Sequence, residues 1–125
     1  MLRQTSVLVS CMLAFFMVIP PATARADSYG AIAYSPRTGS TGWSYSFDTR
    51  VGAERRAMQG CTSHARDCRI AIWFVNACGA LSVGSSGWGS GWGSDRARAE
   101  YEANRSCSGQ TRGCRVIRWQ CSGAR

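Results

Sequence analysis

Small and larger apolar residues alternate over Tyr29-Gly30-Ala31-Ile32-Ala33-Tyr34-Ser35, which predicts a strand, and residues 42–47 predict a second. Pro36-Arg37-Thr38-Gly39 supplies turn chemistry between them, so the pair reads as a hairpin. From Thr49 the period changes. Ala53, Ala57 and Cys61 fall at i, i+4 and i+8, a helical stripe made of small residues that lets a helix lie close to a sheet. Thr49 suits the N-cap, since its hydroxyl can accept an orphan backbone N–H of the first turn. Residues 68–75 are apolar, β-branched and aromatic, and predict the next strand.

The same order then returns. Residues 49–75 align without a gap on residues 95–121, placing Ala53 on Ala99, Glu54 on Glu100, Ala57 on Ala103, Cys61 on Cys107, Cys68 on Cys114, Arg69 on Arg115 and Trp73 on Trp119. Asp95 takes the N-cap place of Thr49. Gly79-Ala80-Leu81-Ser82-Val83 echoes Gly30-Ala31-Ile32-Ala33-Tyr34, with a hairpin three residues shorter. The chain therefore reads as two β-β-α-β repeats, over about 29–77 and 78–121. The expected fold is α+β: one largely antiparallel sheet of about six strands, with both helices on one face. Strand alternation then turns Ile70, Ile72 and Phe74 toward the helices. Arg69, Ala71, Trp73 and Val75 face away, joined on that outer face by Arg115, Ile117 and Trp119.

The N-terminal segment carries a different pattern. Arg3, an apolar run over 7–19 and Ala24-Arg25-Ala26 match the charged, hydrophobic and small-x-small regions of a signal peptide covering 1–26. The run is ended by Pro20 and Pro21, well short of the ~20 residues that a membrane span needs. The expectation is a secreted or periplasmic single domain over 27–125, with no membrane span after cleavage. A domain so short buries only about 60–65% of its unfolded surface, so covalent staples are expected. Beyond Cys11 the chain has six cysteines, an even number that reads as disulfides in an exported protein. Equivalent positions in the repeats should make equivalent bonds, Cys61–Cys68 and Cys107–Cys114. Cys78–Cys121 remains and would tie the two copies together. Cys-x6-Cys lacks zinc spacing and His64 is the single histidine, so neither a metal nor another cofactor is expected.

Charge narrows the partner class. From Asp27 onward thirteen arginines face seven acidic residues, a net charge of +6, and lysine is absent from the whole chain. Arginine offers a planar fork to carboxylates and phosphates, although a high-GC genome would also favour its codons. Two constellations could use it. In Gly87-Trp88-Gly89-Ser90-Gly91-Trp92-Gly93-Ser94, read as a strand, Trp88 and Trp92 share a face between glycines, either as a stacking surface or as core. Arg69, Trp73, Arg115 and Trp119 form an Arg-x-x-x-Trp pair presented twice, suited to anionic or aromatic ligands. No nucleic-acid motif is present and export argues against that partner.

Catalysis finds little support. Bridged cysteines offer no nucleophile, and His64 sits at a loop tip. Glu54 and Glu100 read as salt-bridge partners of Arg69 and Arg115. The chain is thus expected to act by binding an anionic envelope ligand, a polysaccharide or a protein. A hydrolase of cell-wall-type material, pairing Glu54 or Glu100 with Asp67 or Asp95, is one alternative. A structural envelope protein whose outer sheet face forms a dimer is another.

Residues 29–35, the Ala-Glu-Arg-Arg-Ala helix segment at 53–57, Asp67-Cys68-Arg69, Asn76-Ala77-Cys78-Gly79-Ala80 and the glycine-tryptophan run at 87–94 resemble the bacterial exported family known as domain of unknown function 4189. The resemblance spans about 29–121. It implies secretion and a shared fold, and brings no established activity or catalytic residues. Tyr101-Glu102 stands where the first repeat has Arg55-Arg56, so a function resting on basic helix faces is not duplicated.

Overall fold

The computed structural model describes residues 16–21 and 25–125; most of the signal peptide expected over 1–26 lies outside the described residues. The first repeat forms β1 (Tyr29–Tyr34), β2 (Thr41–Phe47), α1 (Arg50–Thr62) and β3 (Arg69–Val75). The second forms β4 (Ala77–Val83), β5 (Trp88–Gly93), α2 (Arg96–Ser108) and β6 (Arg115–Ser122). Both helices begin at the residues suited to cap them. Thr49 Oγ1 accepts from the Gly52 N–H at 3.0 Å, and the Asp95 carboxylate accepts from the Arg98 N–H at 2.8 Å.

The α+β class and the ββαβ repeats stand, but the strands form two three-stranded antiparallel sheets rather than one of six. Their orders are β2-β1-β3 and β5-β4-β6, so each repeat makes its own sheet. The chain passes from one to the other through Asn76 alone, whose φ of 52° is a left-handed turn that an asparagine tolerates. Its side chain fixes that turn by accepting from the Ser28 N–H and donating to Asp27. β4 is thereby sent across β3 instead of alongside it.

The two sheets face one another and the helices lie on the outer sides. This corrects the expectation of two helices on a single face. The outer layers are built from small residues: Ala31, Ala33, Ala53, Ala57 and Cys61 in one repeat, Ala80, Ala99 and Ala103 beside Cys78 in the other. The larger residues, Ile32, Tyr34, Phe74 and Leu81, fill the layer between the sheets. Phe74 is its keystone. A Cβ on Gly30 or on Gly79, the matching residue of the other repeat, would fall 2.4 Å from its ring. One aromatic side chain thus occupies space left by a glycine of each sheet.

Three disulfides join Cys61–Cys68, Cys78–Cys121 and Cys107–Cys114. The first and third each clip the end of a helix to the start of the following strand. The second does not tie the repeats together as expected: Cys78 on β4 and Cys121 on β6 are register partners within one sheet. The corresponding partners in the first sheet are Tyr29 and Val75.

Candidate functional site

The glycine-tryptophan run is strand β5, at the edge of its sheet. Its glycines face α2. A Cβ on Gly89, Gly91 or Gly93 would lie 2.2–2.5 Å from atoms of that helix, so the alternation lets α2 settle directly on the strand. Trp88, Ser90 and Trp92 then share the opposite side, but their fates differ. Trp88 packs into the layer between the sheets, its ring meeting Tyr34 edge-on at 5.7 Å. Trp92, nearer the other end of the strand, is 63% exposed.

Trp92 stands at an open groove of about 860 Å3 between β5 and α2, which Arg98, Glu102, Arg105 and Ser106 also line. Arg98 is held by Glu102 at 2.6 Å. Arg105 has no carboxylate partner among the described residues. The groove therefore offers an aromatic ring and an unpaired guanidinium along an edge strand.

The second constellation is not assembled. Sequence alternation puts Arg69 with Trp73, and Arg115 with Trp119, on one outer face. Each strand instead carries a bulge. The register of β3 against β1 shifts between Ile70 and Ile72, and that of β6 against β4 between Val116 and Arg118, leaving Ala71 and Ile117 as extra residues. An extra residue reverses every side chain beyond it. Arg69, opposite Tyr34, points toward the inter-sheet side, while Trp73, opposite Ala31, lies on the helix side. The same separation parts Arg115, opposite Val83, from Trp119, opposite Ala80. Beyond the bulge Ile72 and Phe74 also belong to the inter-sheet layer, and only Ile70 packs toward the helix.

Each displaced tryptophan has a different arginine. The Arg50 guanidinium lies 4.4 Å from the Trp73 ring centre and bonds Glu54 at 2.5 Å; Arg96 lies 4.1 Å from Trp119 and bonds Glu100 at 2.6 Å. Glu54 and Glu100 therefore pair with the first residue of their own helix rather than with Arg69 and Arg115. Trp73 also stacks on Tyr29, with ring centres 6.4 Å apart. Arg69 meets an aromatic from the other candidate set: it lines a groove of about 530 Å3 together with Tyr34, Val83 and Trp88.

The carboxylates proposed for hydrolysis are dispersed. Glu54 and Glu100 are held by their arginines, and Asp95 caps α2. Asp67 closes the first hairpin, accepting from the Ser35 hydroxyl and, at 3.1 Å, from the Arg37 N–H. The Ser35 bond, aided by the Arg37 amide, holds the Asp67 carboxyl below the ordinary carboxylate range. Burial pushes the neighbouring Tyr34 phenol up, and the Asp67 charge adds to that. No two of these four carboxylates meet in the grooves described. Among the described residues no group of three or more His, Cys, Asp or Glu is placed to hold a metal ion, and no helix is long and apolar enough to cross a membrane.

Sequence reasoning passed over Trp43 and Arg118. Arg118 of β6 lies with its guanidinium 3.9 Å from the ring centre of Trp43 on β2, a contact between the two sheets, and donates from Nε to Thr41 Oγ1 at 3.3 Å. The available signal was the repeat itself: Arg118 stands at the position of Ile72, a cation where the other copy has core.

Protein Rv1269c of Mycobacterium tuberculosis and Protein Mb1300c of Mycobacterium bovis are each 40% identical to this chain over 78 residues, covering 62% of the chain and 60% of either relative. The match thus spans about three fifths of the length of these curated relatives. The NMR structure of Rv1813c from Mycobacterium tuberculosis superposes with a TM-score of 0.57 at 27% identity, over 97% of this chain and 95% of that one. Residues 29–121, the two repeats almost entire, match the model of the family described as Domain of unknown function (DUF4189), and the chain belongs to that family.

Proposed function

We propose that this protein is an exported binding domain that engages an anionic or carbohydrate-bearing envelope partner, or a protein, through the groove between β5 and α2. The observation that carries the reading is Trp92, 63% exposed beside Arg98 and Arg105. An exposed ring at the rim of a groove, beside a guanidinium, is a face on which a ligand can stack. The net positive charge beyond the signal segment favours an anionic partner. Three disulfides suit an oxidising compartment outside the cytoplasm.

The test is capture of envelope fractions on the oxidised protein over 27–125, beside a Trp92→Ala variant. Trp88 is left untouched, since it packs between the sheets and its loss would damage the fold. A ligand retained by the wild type and lost by a folded Trp92→Ala protein supports the reading. Equal retention by both proteins, or none by either at low salt, refutes it.

A further inference from the structure

The scaffold builds a second kind of groove twice, once per repeat, where the start of the second strand passes the C-terminal half of the helix. In the second repeat this groove, about 380 Å3, is lined by Trp88, Gly89, Ser90, Ser106 and Gln110 with Ala71. In the first repeat it is about 350 Å3, lined by Thr41, Trp43, Arg56, Ser63, His64 and Arg118 over a floor of Gly42 and Gly60. Strand register and the helix alignment give the correspondence. Trp43 stands where the other copy has Ser90, Arg56 where it has Glu102, His64 where it has Gln110, and Arg118 where it has Ile72. Four positions differ toward cationic or aromatic side chains in the first repeat, while Thr41 stands where the other copy has Trp88.

We propose that the groove of the first repeat is a binding site for an oxyanion, phosphate or carboxylate, borne on a sugar ring. Neither Arg56 nor Arg118 has a carboxylate partner among the described residues, whereas Arg50, Arg96 and Arg98 are each paired. Arg118 is oriented by its stack on Trp43 and its bond to Thr41, which leaves its terminal nitrogens for a ligand. Arg56 converges on the same floor, its Nη1 3.7 Å from where a Cβ on Gly60 would stand. Two guanidinium forks, the His64 imidazole and the Thr41 hydroxyl supply donors to an oxyanion, while the Ser63 hydroxyl donates to the Gly60 carbonyl at 2.8 Å. Trp43, 41% exposed, supplies the apolar face against which a pyranose can lie. The size is at the small end of ligand sites, fitting one charged sugar unit. This inference rests on the reading of the protein as a binding domain but uses a different groove from that of Trp92.

The test is amide and indole NMR titration of the oxidised protein at low ionic strength with glucose 6-phosphate, glucuronate, inorganic phosphate and glucose. Both charged sugars should shift Trp43, Arg56, His64 and Arg118, inorganic phosphate should bind more weakly, and glucose should not bind. Arg56→Glu and Trp43→Ser import residues that the same scaffold position carries in the other repeat, so the fold should persist and be visible in the spectra. Arg56→Glu should weaken glucose 6-phosphate by at least about tenfold, as loss of a charge-assisted contact requires. Trp43→Ser should weaken the sugar phosphate while sparing inorganic phosphate. Binding of neither charged sugar, binding of glucose as well as its phosphate, or affinity unchanged in Arg56→Glu would overturn the site. Shifts confined to Trp92 and α2 would overturn it while leaving the proposed binding function intact.

Discussion

Gly91 is the position where one added methyl group tests the architecture most directly. A Cβ there would stand 2.3 Å from Ala103 N, 2.5 Å from the Glu102 carbonyl carbon and 2.5 Å from Glu102 Cβ. Favourable contact lies at about 3.5 Å or beyond, so α2 must retreat by about 1 Å. Two of the three obstructing atoms are helix backbone, which no rotamer change can move. Retreat would loosen Ala99, Ala103 and Cys107, all wholly buried. Overpacking typically costs about 1–3 kcal/mol, and a backbone clash belongs at the upper end, about 3 kcal/mol. In a domain of this size each kcal/mol lowers Tm by about 4–8 °C, so Gly91→Ala should melt about 12–24 °C below wild type. Two controls separate packing from the intrinsic effect of the substitution. Gly109→Ala, at φ −76° with nothing nearer than 3.5 Å, should change stability by no more than about 0.5 kcal/mol. Gly113→Ala, at φ +69° with nothing within 4 Å, should lose about 1–2 kcal/mol to left-handed strain alone. The assay is calorimetric or circular-dichroism melting of the oxidised proteins. A Gly91→Ala protein no less stable than Gly113→Ala would refute the claim that these glycines set the distance of α2. Gly91→Ser should fail as badly as Gly91→Ala, although the first repeat carries Ser44 at this place.

Ser44 explains why its repeat tolerates a side chain there: its hydroxyl accepts from the Ala31 N–H at 3.0 Å and donates to the Ala53 carbonyl at 2.7 Å, pinning α1 to the sheet. Ser44→Ala strands the buried Ala31 N–H and removes the added bond to the Ala53 carbonyl, and should cost about 1–3 kcal/mol in urea unfolding; a neutral result would remove the bridge from the account. Loop-closure entropy ranks the disulfides. Replacing Cys78 and Cys121 by alanine, separation 43, should cost about 4 kcal/mol, against about 2.5 kcal/mol for Cys61 and Cys68, separation 7; the reverse order in matched unfolding curves would contradict it. Asp67 has a folded-state pKa below its unfolded value, so its contribution is present above the ordinary carboxylate pKa of about 3.9 and fades as pH falls through the lowered one. Wild type should therefore exceed Asp67→Asn in stability at neutral pH, with the gap closing on acidification below about pH 4; a gap that widens there has the wrong sign.

What was legible in the sequence is what local periodicity and the repeat can carry. The alanine-cysteine stripes, the caps at Thr49 and Asp95 and the eight elements follow from spacing alone. The bulges do not, because Ala71 and Ile117 look like ordinary strand residues, and an unpaired residue is defined only by the neighbouring strand. That single local event separated Arg69 from Trp73 and Arg115 from Trp119, turning an apparent paired site into two helix-edge tryptophans stacked under Arg50 and Arg96. The second layer was hidden for a related reason. Strands with one helix-covered face and one large apolar face suit a helix-covered sheet or two packed sheets equally, and only the Asn76 crossing decides between them.

The repeat still holds information that alternation misses, and it lies in the differences between the copies. Where the copies agree, as at Ala53 and Ala99 or at Gly42 and Gly89, packing requires the same residue twice. Where they disagree without loss of fold, the scaffold has left the position open to other demands. Arg118 against Ile72 is the sharpest case, because an isoleucine there serves the layer between the sheets and an arginine serves it poorly. Burying part of a guanidinium beside a core costs desolvation that the Trp43 stack and the Thr41 bond only partly offset. Such a substitution weakens the packing its counterpart provides, and it falls at the one groove where Arg56, His64 and Trp43 have diverged in the same direction. Arg118→Ile should therefore raise the melting temperature while abolishing sugar-phosphate binding in that groove. A variant that is less stable than wild type, or that binds as before, would show that Arg118 is there for the fold.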